Sequence, residues 1–177
     1  MRLFFAIWPD DPAREALARL ASTVAAATGG RATPEANIHM TLEFLGEVGD
    51  ERLGDLGGIA AAAGGRAFDL RLDRLGGFRR ARVAWAGATL APPALLELHS
   101  ALSRGLAAAG FGLEERPFAP HVTLARKVDN RGQSGLFAPD VTQELRDVPL
   151  WRVGEFALVR THAGRYATLA SWRLAAR

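Results

Sequence analysis

The tetrapeptide His-x-Thr-Leu occurs twice in this chain, at His39-Met40-Thr41-Leu42 and at His121-Val122-Thr123-Leu124, and takes two of only four histidines. What precedes it is repeated as well. Arg2-Leu3-Phe4-Phe5-Ala6 aligns with Arg82-Val83-Ala84-Trp85-Ala86 eighty positions later, and each is followed by a helix that proline opens. His39 lies 37 positions after Arg2, and His121 lies 39 after Arg82. Strand, helix and extended His-x-Thr-Leu therefore recur as one unit. Two such units, neither able to close a core alone, are expected to pack face to face about a symmetry axis, with the two histidines opposed.

Periodicity fills in the rest. Residues 2–8 read as a strand, and Pro9-Asp10-Asp11-Pro12 supplies the turn and N-cap for a helix over 12–27. Ala16, Leu17, Leu20 and Val24 form its core-facing stripe, and Gly29-Gly30 ends it. Residues 50–63 read as a second helix, 68–75 as an alternating strand, and Gly76-Gly77 as a turn. A strand over 82–88 precedes a helix over 92–109, with Leu95, Leu98, Leu102 and Leu106 on one stripe and Gly110 as its stop. Residues 37–45, 113–115 and 120–125 read as extended, 129–135 as a surface loop and 142–147 as helix. Strands over 151–161 and 166–174 meet at Ala163-Gly164. The class is α+β. No linker of disordered composition divides the chain, so residues 1–177 are expected to form one domain of two repeated lobes.

Composition removes several chemistries. The chain has no cysteine, so disulfides, thiolate nucleophiles and thiolate metal sites are excluded. No apolar run approaches the roughly 20 residues of a membrane span, and the run over 3–8 is too short for a signal-peptide core, so a cytoplasmic protein without a membrane partner is expected. Lys127 is the sole lysine among 22 basic residues. Arginine suits phosphate because its planar fork donates two parallel hydrogen bonds. A coding preference for Arg and Ala over Lys explains the excess more simply.

In a strand, residues i and i+2 share a face, so His39 and Thr41 point one way while Met40, Leu42 and Phe44 point into the core. His121 and Thr123 repeat the pattern against Val122 and Leu124. Two imidazoles and two hydroxyls without a carboxylate cluster fit metal-free attack on phosphorus. One neutral imidazole takes a proton from water, and the other, as imidazolium, gives one to a departing sugar alkoxide. The threonine hydroxyls would hydrogen-bond the non-bridging oxygens. Zinc usually takes three or four protein ligands, and two histidines without cysteine do not supply them. Spacing alone does not say which histidine is the acid.

The paired motifs, together with "RLFFAI", "NIHMTLEFLGEV", "RVAWAG", "GFGLEERPFAPHVTLAR" and "GRYATL", resemble the bacterial and archaeal RNA 2′,3′-cyclic phosphodiesterases of the 2H phosphoesterase superfamily, also called 2′-5′ RNA ligases. The resemblance runs from Arg2 to about Leu174. It implies a bilobal α+β fold, two pseudo-symmetric antiparallel sheets facing a central cleft with helices outside. It also implies hydrolysis of a terminal RNA 2′,3′-cyclic phosphate to a 2′-phosphate, without metal; no cofactor and a monomeric state are expected. His39 takes the place of the family's proton donor and His121 that of its acceptor. Thr41 and Thr123 match the phosphate-binding threonines. Arg126 matches a phosphate-contacting arginine, although strict alternation puts it on the face opposite His121 unless a bulge turns it inward. Phe5 matches an aromatic that stacks on the terminal base, with Phe4 facing into packing.

Other residues read more plainly. His99 is expected to face solvent from its helix, and His162 to sit in a turn. Trp85 reads as core, Tyr166 as a strand residue, Arg79, Arg80 and Arg82 as a solvated edge, and Arg116 and Phe118 as packing for the loop before the second motif. Three alternatives stay open: the reverse reaction that joins RNA ends through a 2′-5′ bond, a non-catalytic RNA-end binder, and an enzyme acting on a small cyclic nucleotide.

Overall fold

A computed structural model describes residues 1–129 and 132–176. Among the described residues there are ten strands and four α-helices. They are β1 (Arg2–Ile7), α1 (Asp11–Thr28), β2 (Arg31–Ala32), β3 (Met40–Glu47), α2 (Leu53–Ala63), β4 (Phe68–Leu70), β5 (Arg74–Phe78) and β6 (Val83–Gly87), then α3 (Pro93–Ala108), β7 (His121–Arg126), α4 (Pro139–Asp147), β8 (Trp151–Val153), β9 (Glu155–His162) and β10 (Arg165–Arg173). One antiparallel sheet runs β10-β9-β1-β3-β7-β6-β5, with β2 added beside β7, and β4 and β8 form a small second sheet.

Local chemistry explains the helices. The Asp10 carboxylate accepts from the Ala13 N–H at 3.1 Å and caps α1, and Gly29 ends it at φ 70°, a left-handed angle that favours glycine. Ala16, Leu17, Leu20 and Val24 are buried, as their spacing predicts. So are Leu95, Leu98, Leu102 and Leu106 of α3, and each buried leucine contributes about 1.5–3 kcal/mol of transfer free energy. These helices cover one face of the sheet and enclose the main core.

Two strand readings change. The segment 68–75 breaks in two, because Phe68–Leu70 pairs with β8 while Arg74–Phe78 pairs with β6. Gly76 and Gly77 lie inside β5 rather than in a turn. Gly76 stands opposite Trp85, whose ring occupies the space a Cβ would need. The segment 151–161 divides at Gly154 for the same reason, with Trp151–Val153 serving the small sheet and Glu155–His162 pairing with β1.

The repeat is real, but its copies join edge to edge. β3 and β7 share a single register pair, Met40 with Val122, each the residue after its motif histidine. The strands overlap only at their N-terminal ends and run apart in opposite directions. The two antiparallel halves, β10-β9-β1-β3 and β7-β6-β5, thus meet at this pair. Helices are exchanged across it, since α1 lies against β7 and α3 against β3.

Register also corrects the sequence alignment of the repeat. Ala6 pairs with Thr41, and Trp85 with Thr123, so Ala6 rather than Phe5 is the counterpart of Trp85. The offset in the first strand is therefore 79, one less than the 80 that residue identity suggests. A one-residue slip exchanges the faces of a strand. Phe5 is consequently the counterpart of Ala84, and both are fully buried under the helices. Trp85 comes to the open face instead.

Candidate active site

His39 and His121 flank the Met40–Val122 pair and reach the open face of the sheet. That register carries His39 toward Thr123 and Thr41 toward His121. Both imidazoles are fixed in the same way. His39 Nδ1–H donates to the Asn37 carbonyl at 2.7 Å, and His121 Nδ1–H donates to the Ala119 carbonyl, also at 2.7 Å. A carbonyl only accepts, so each Nδ1 carries the hydrogen and each neutral ring presents a bare Nε2. The Thr41 hydroxyl donates to His39 Nε2 at 3.1 Å.

Aromatic walls hold the rings. Around His39 stand Phe4 at 5.0 Å, Tyr166 at 5.1 Å and Trp8 at 5.5 Å between centroids. Around His121 stand Phe78 at 5.1 Å and Trp85 at 6.3 Å. Burial above all pushes the His39 imidazole down from 6.5 to about 4; the nearby charges of Arg126 and His121 add to this, and the Asn37 hydrogen bond opposes it. His39 is therefore neutral at pH 7.

Arg126 reaches the cleft by the device that alternation demands. Thr123 pairs with Trp85 but Ala125 pairs with Ala84, so Leu124 is an extra residue and β7 bulges there. β3 bulges at the equivalent Leu42. Leu124 and Ala125 are both buried, and Arg126 emerges on the histidine side. Beyond it, Arg82 Nε–H donates to the Val128 carbonyl at 3.0 Å and Nη2–H to the Lys127 carbonyl at 3.2 Å, which anchors the end of β7.

Two cavities open from this centre and share Thr123 and Arg126. One of about 300 Å³ is lined by His39, Arg31, Asn37, Lys127 and Tyr166. The other, about 480 Å³, is lined by His121, Thr41, Phe78, Phe118, Glu43 and His99. Among the described residues no three of His, Cys, Asp and Glu converge as a metal set, and no helix is long and apolar enough to cross a membrane.

Four of the six sequence-identified residues, His39, Thr41, His121 and Thr123, meet at the pseudo-dyad, and Arg126 joins them. Phe5 does not. It is fully buried, 6.2 Å from Phe156 and 6.0 Å from Trp172, and no base can stack on it. Its neighbour Phe4 faces His39, the reverse of the sequence reading. Tyr166, Trp8 and Phe78 were missed as site residues, since only the tertiary pairing of β10, β1 and β5 brings their rings to the histidines. His99 is not solvent-facing: its ring stacks on Phe118 at 3.8 Å. His162 is exposed and lines neither cavity. Asn130 and Arg131, within the loop expected over 129–135, lie outside the described residues, and Gly132–Phe137 form 3₁₀ turns.

Two antiparallel half-sheets, helices outside, and an imidazole and a threonine from each half at their junction constitute the 2H phosphoesterase fold. The 2′-5′ RNA ligase superfamily matches over residues 3–165. An RNA 2′,3′-cyclic phosphodiesterase of Escherichia coli strain K12 is 38% identical over 125 residues, 71% of each chain. Another, from Geobacillus stearothermophilus, is 32% identical over 97% of this chain, although the match spans only 56% of that relative. The crystal structure of E. coli LigT complexed with 3′-AMP superposes with a TM-score of 0.80 at 31% identity, covering 98% of this chain and 97% of that one. The chain belongs to the 2′-5′ RNA ligase superfamily.

Proposed function

We propose that this protein is an enzyme that opens the 2′,3′-cyclic phosphate at an RNA end to a 2′-phosphate, without a metal. The observation that carries the reading is the pair of Nε2 atoms, each backed by an Nδ1–H to carbonyl hydrogen bond, on either side of one strand pair. His121 Nε2 takes a proton from water as the water oxygen attacks phosphorus. The P–O3′ bond breaks, and His39 Nε2–H gives its proton to O3′. Thr41, Thr123 and Arg126 hold the non-bridging oxygens as negative charge grows on them.

His39 is neutral at pH 7, so its donor role needs the substrate. The anionic phosphodiester beside the imidazole favours its charged form and offsets the Arg126 charge, against the burial that chiefly lowers its proton affinity. The reverse assignment, with His39 as acceptor, draws on its lowered proton affinity alone. A bridging 3′-sulfur in the cyclic phosphate separates the two, because a thiolate leaves without a proton. That substrate is expected to restore His39→Ala but not His121→Ala; rescue of His121→Ala instead would reverse the roles.

Water in bulk favours opening over 2′-5′ joining, which the same groups would run backwards. The parent test is digestion of a cyclic-phosphate oligonucleotide in EDTA. We expect a 2′-phosphate product by NMR, and a fall of about 10² to 10⁴ in kcat for either histidine variant. Retention of intact substrate would leave an RNA-end binder. The two lobes act as one domain over 1–177, as a monomer in the cytoplasm.

A further inference from the structure

The larger cavity owes its existence to a broken symmetry. Beside β7 the space left by the departing β3 is closed by β2, with Arg31 opposite Arg126 and Ala32 opposite Ala125. Arg31 lies eight residues before His39, and eight before His121 is Leu113. Residues 113–115 form no strand, so the equivalent edge of β3 beyond Met40 carries no partner on that side among the described residues. The gap is the 480 Å³ cavity, large enough for a nucleoside.

Its far wall is polar and built. The β3 bulge at Leu42 turns Glu43 off the histidine face toward α3. There the Ser103 hydroxyl donates to Glu43 Oε1, and His99 Nε2 lies 3.0 Å from the same oxygen. His99 and Ser103 are one helical turn apart on α3, and the His99 ring is clamped flat against Phe118, 6° from parallel. The Glu43 side chain is 11% exposed. Oε2 receives no hydrogen bond among the described residues, and Glu43 lines the cavity that His121 also lines. An oriented, nearly buried carboxylate with one open oxygen is a demand for N–H donors.

Building on the proposed activity, we infer that this cavity binds the base of the terminal nucleotide and that Glu43 selects guanine. Guanine alone places two donors side by side on one edge, N1–H and N2–H. Adenine and cytosine set a bare ring nitrogen next to their amino groups, and uracil flanks its single N–H with two carbonyls, so each turns a lone pair toward the carboxylate. Phe78 and Phe118 flank the base, while the cationic wall of the smaller cavity, with Arg31 and Lys127, suits phosphate instead. Glu43 is thus a specificity-determining residue, held by Ser103 and His99.

The test compares kcat/KM for the 2′,3′-cyclic phosphates of guanosine, adenosine, cytidine and uridine, in wild type and in Glu43→Gln. Wild type should favour guanosine over uridine by about tenfold or more, and Glu43→Gln should lower that ratio about tenfold. A ratio within one protein preparation is immune to a general loss of folded enzyme. A wild-type ratio near one, or a ratio unchanged in Glu43→Gln, overturns the assignment. If none of the four is turned over, the proposed chemistry fails by itself, and the subsite is read from binding of guanosine 2′-monophosphate against uridine 2′-monophosphate. Tighter guanosine binding that Glu43→Gln abolishes supports the subsite; equal binding overturns it.

Discussion

At the scale of single residues, the two motif histidines have the same backbone anchor but different surroundings. His39 is enclosed by Phe4, Trp8 and Tyr166, and its lowered proton affinity has a consequence for stability. An unfolded chain binds a proton at this side chain near pH 6.5, whereas the folded one does so only near 4. Between those values the unfolded state holds more protons, so stability rises with pH and is lost as pH falls from about 6.5 to about 4. The loss is about 3 kcal/mol, at 1.36 kcal/mol per pH unit. Urea unfolding across that range should show a shallower pH dependence in His39→Asn than in wild type; identical slopes would mean that His39 is solvated. The motif spacing made both histidines legible. The aromatic enclosure was not, because its three rings come from β1, the residue that follows it and β10, the last separated from the others by most of the chain.

At the scale of elements, the readable features were those set by local rules. Capping at Asp10, the leucine stripe of α3 and the stop at Gly29 all follow from neighbours in sequence. Strand faces were harder, since bulges at Leu42 and Leu124 and a one-residue misalignment of β1 with β6 each exchange inside for outside. Gly76-Gly77 is the clearest case. Two glycines suggest a turn, yet here they leave room for an indole from the neighbouring strand. Gly76→Val should therefore force Trp85 off its seat, cost about 1–3 kcal/mol and reduce turnover through the Trp85 and Phe78 wall of His121. Chemical denaturation together with kcat checks both effects, and wild-type values for each would place the Trp85 ring elsewhere.

At the scale of the whole molecule, neither lobe owns its structure. β1 pairs with β9 from the C-terminal end, α1 packs on β7, and α3 lies against β3. A fragment of residues 1–80 would keep β3 beside β1 but lack β9 on its other edge, and would lack the β7 and α4 surfaces on which α1 packs. It should show no cooperative unfolding transition, while the full chain should unfold in one step with coincident tryptophan fluorescence and far-ultraviolet circular dichroism. Separate transitions for the intact chain would show lobes that fold independently. The exchange of helices also explains how a duplicated unit yields one cleft: the pseudo-dyad passes through a strand pair, not through a gap between two finished sheets.

The sequence by itself determined the repeat, the helices and the identity of the two imidazoles and two hydroxyls, because these depend on periods and spacings within one unit. Tertiary structure decided which face each strand shows. It buried Phe5, delivered Arg126 through a bulge, and left the edge of β3 open where β2 closes that of β7. Those outcomes turn on register between segments far apart in the chain, and a shift of one residue there reverses every side chain without altering any local pattern.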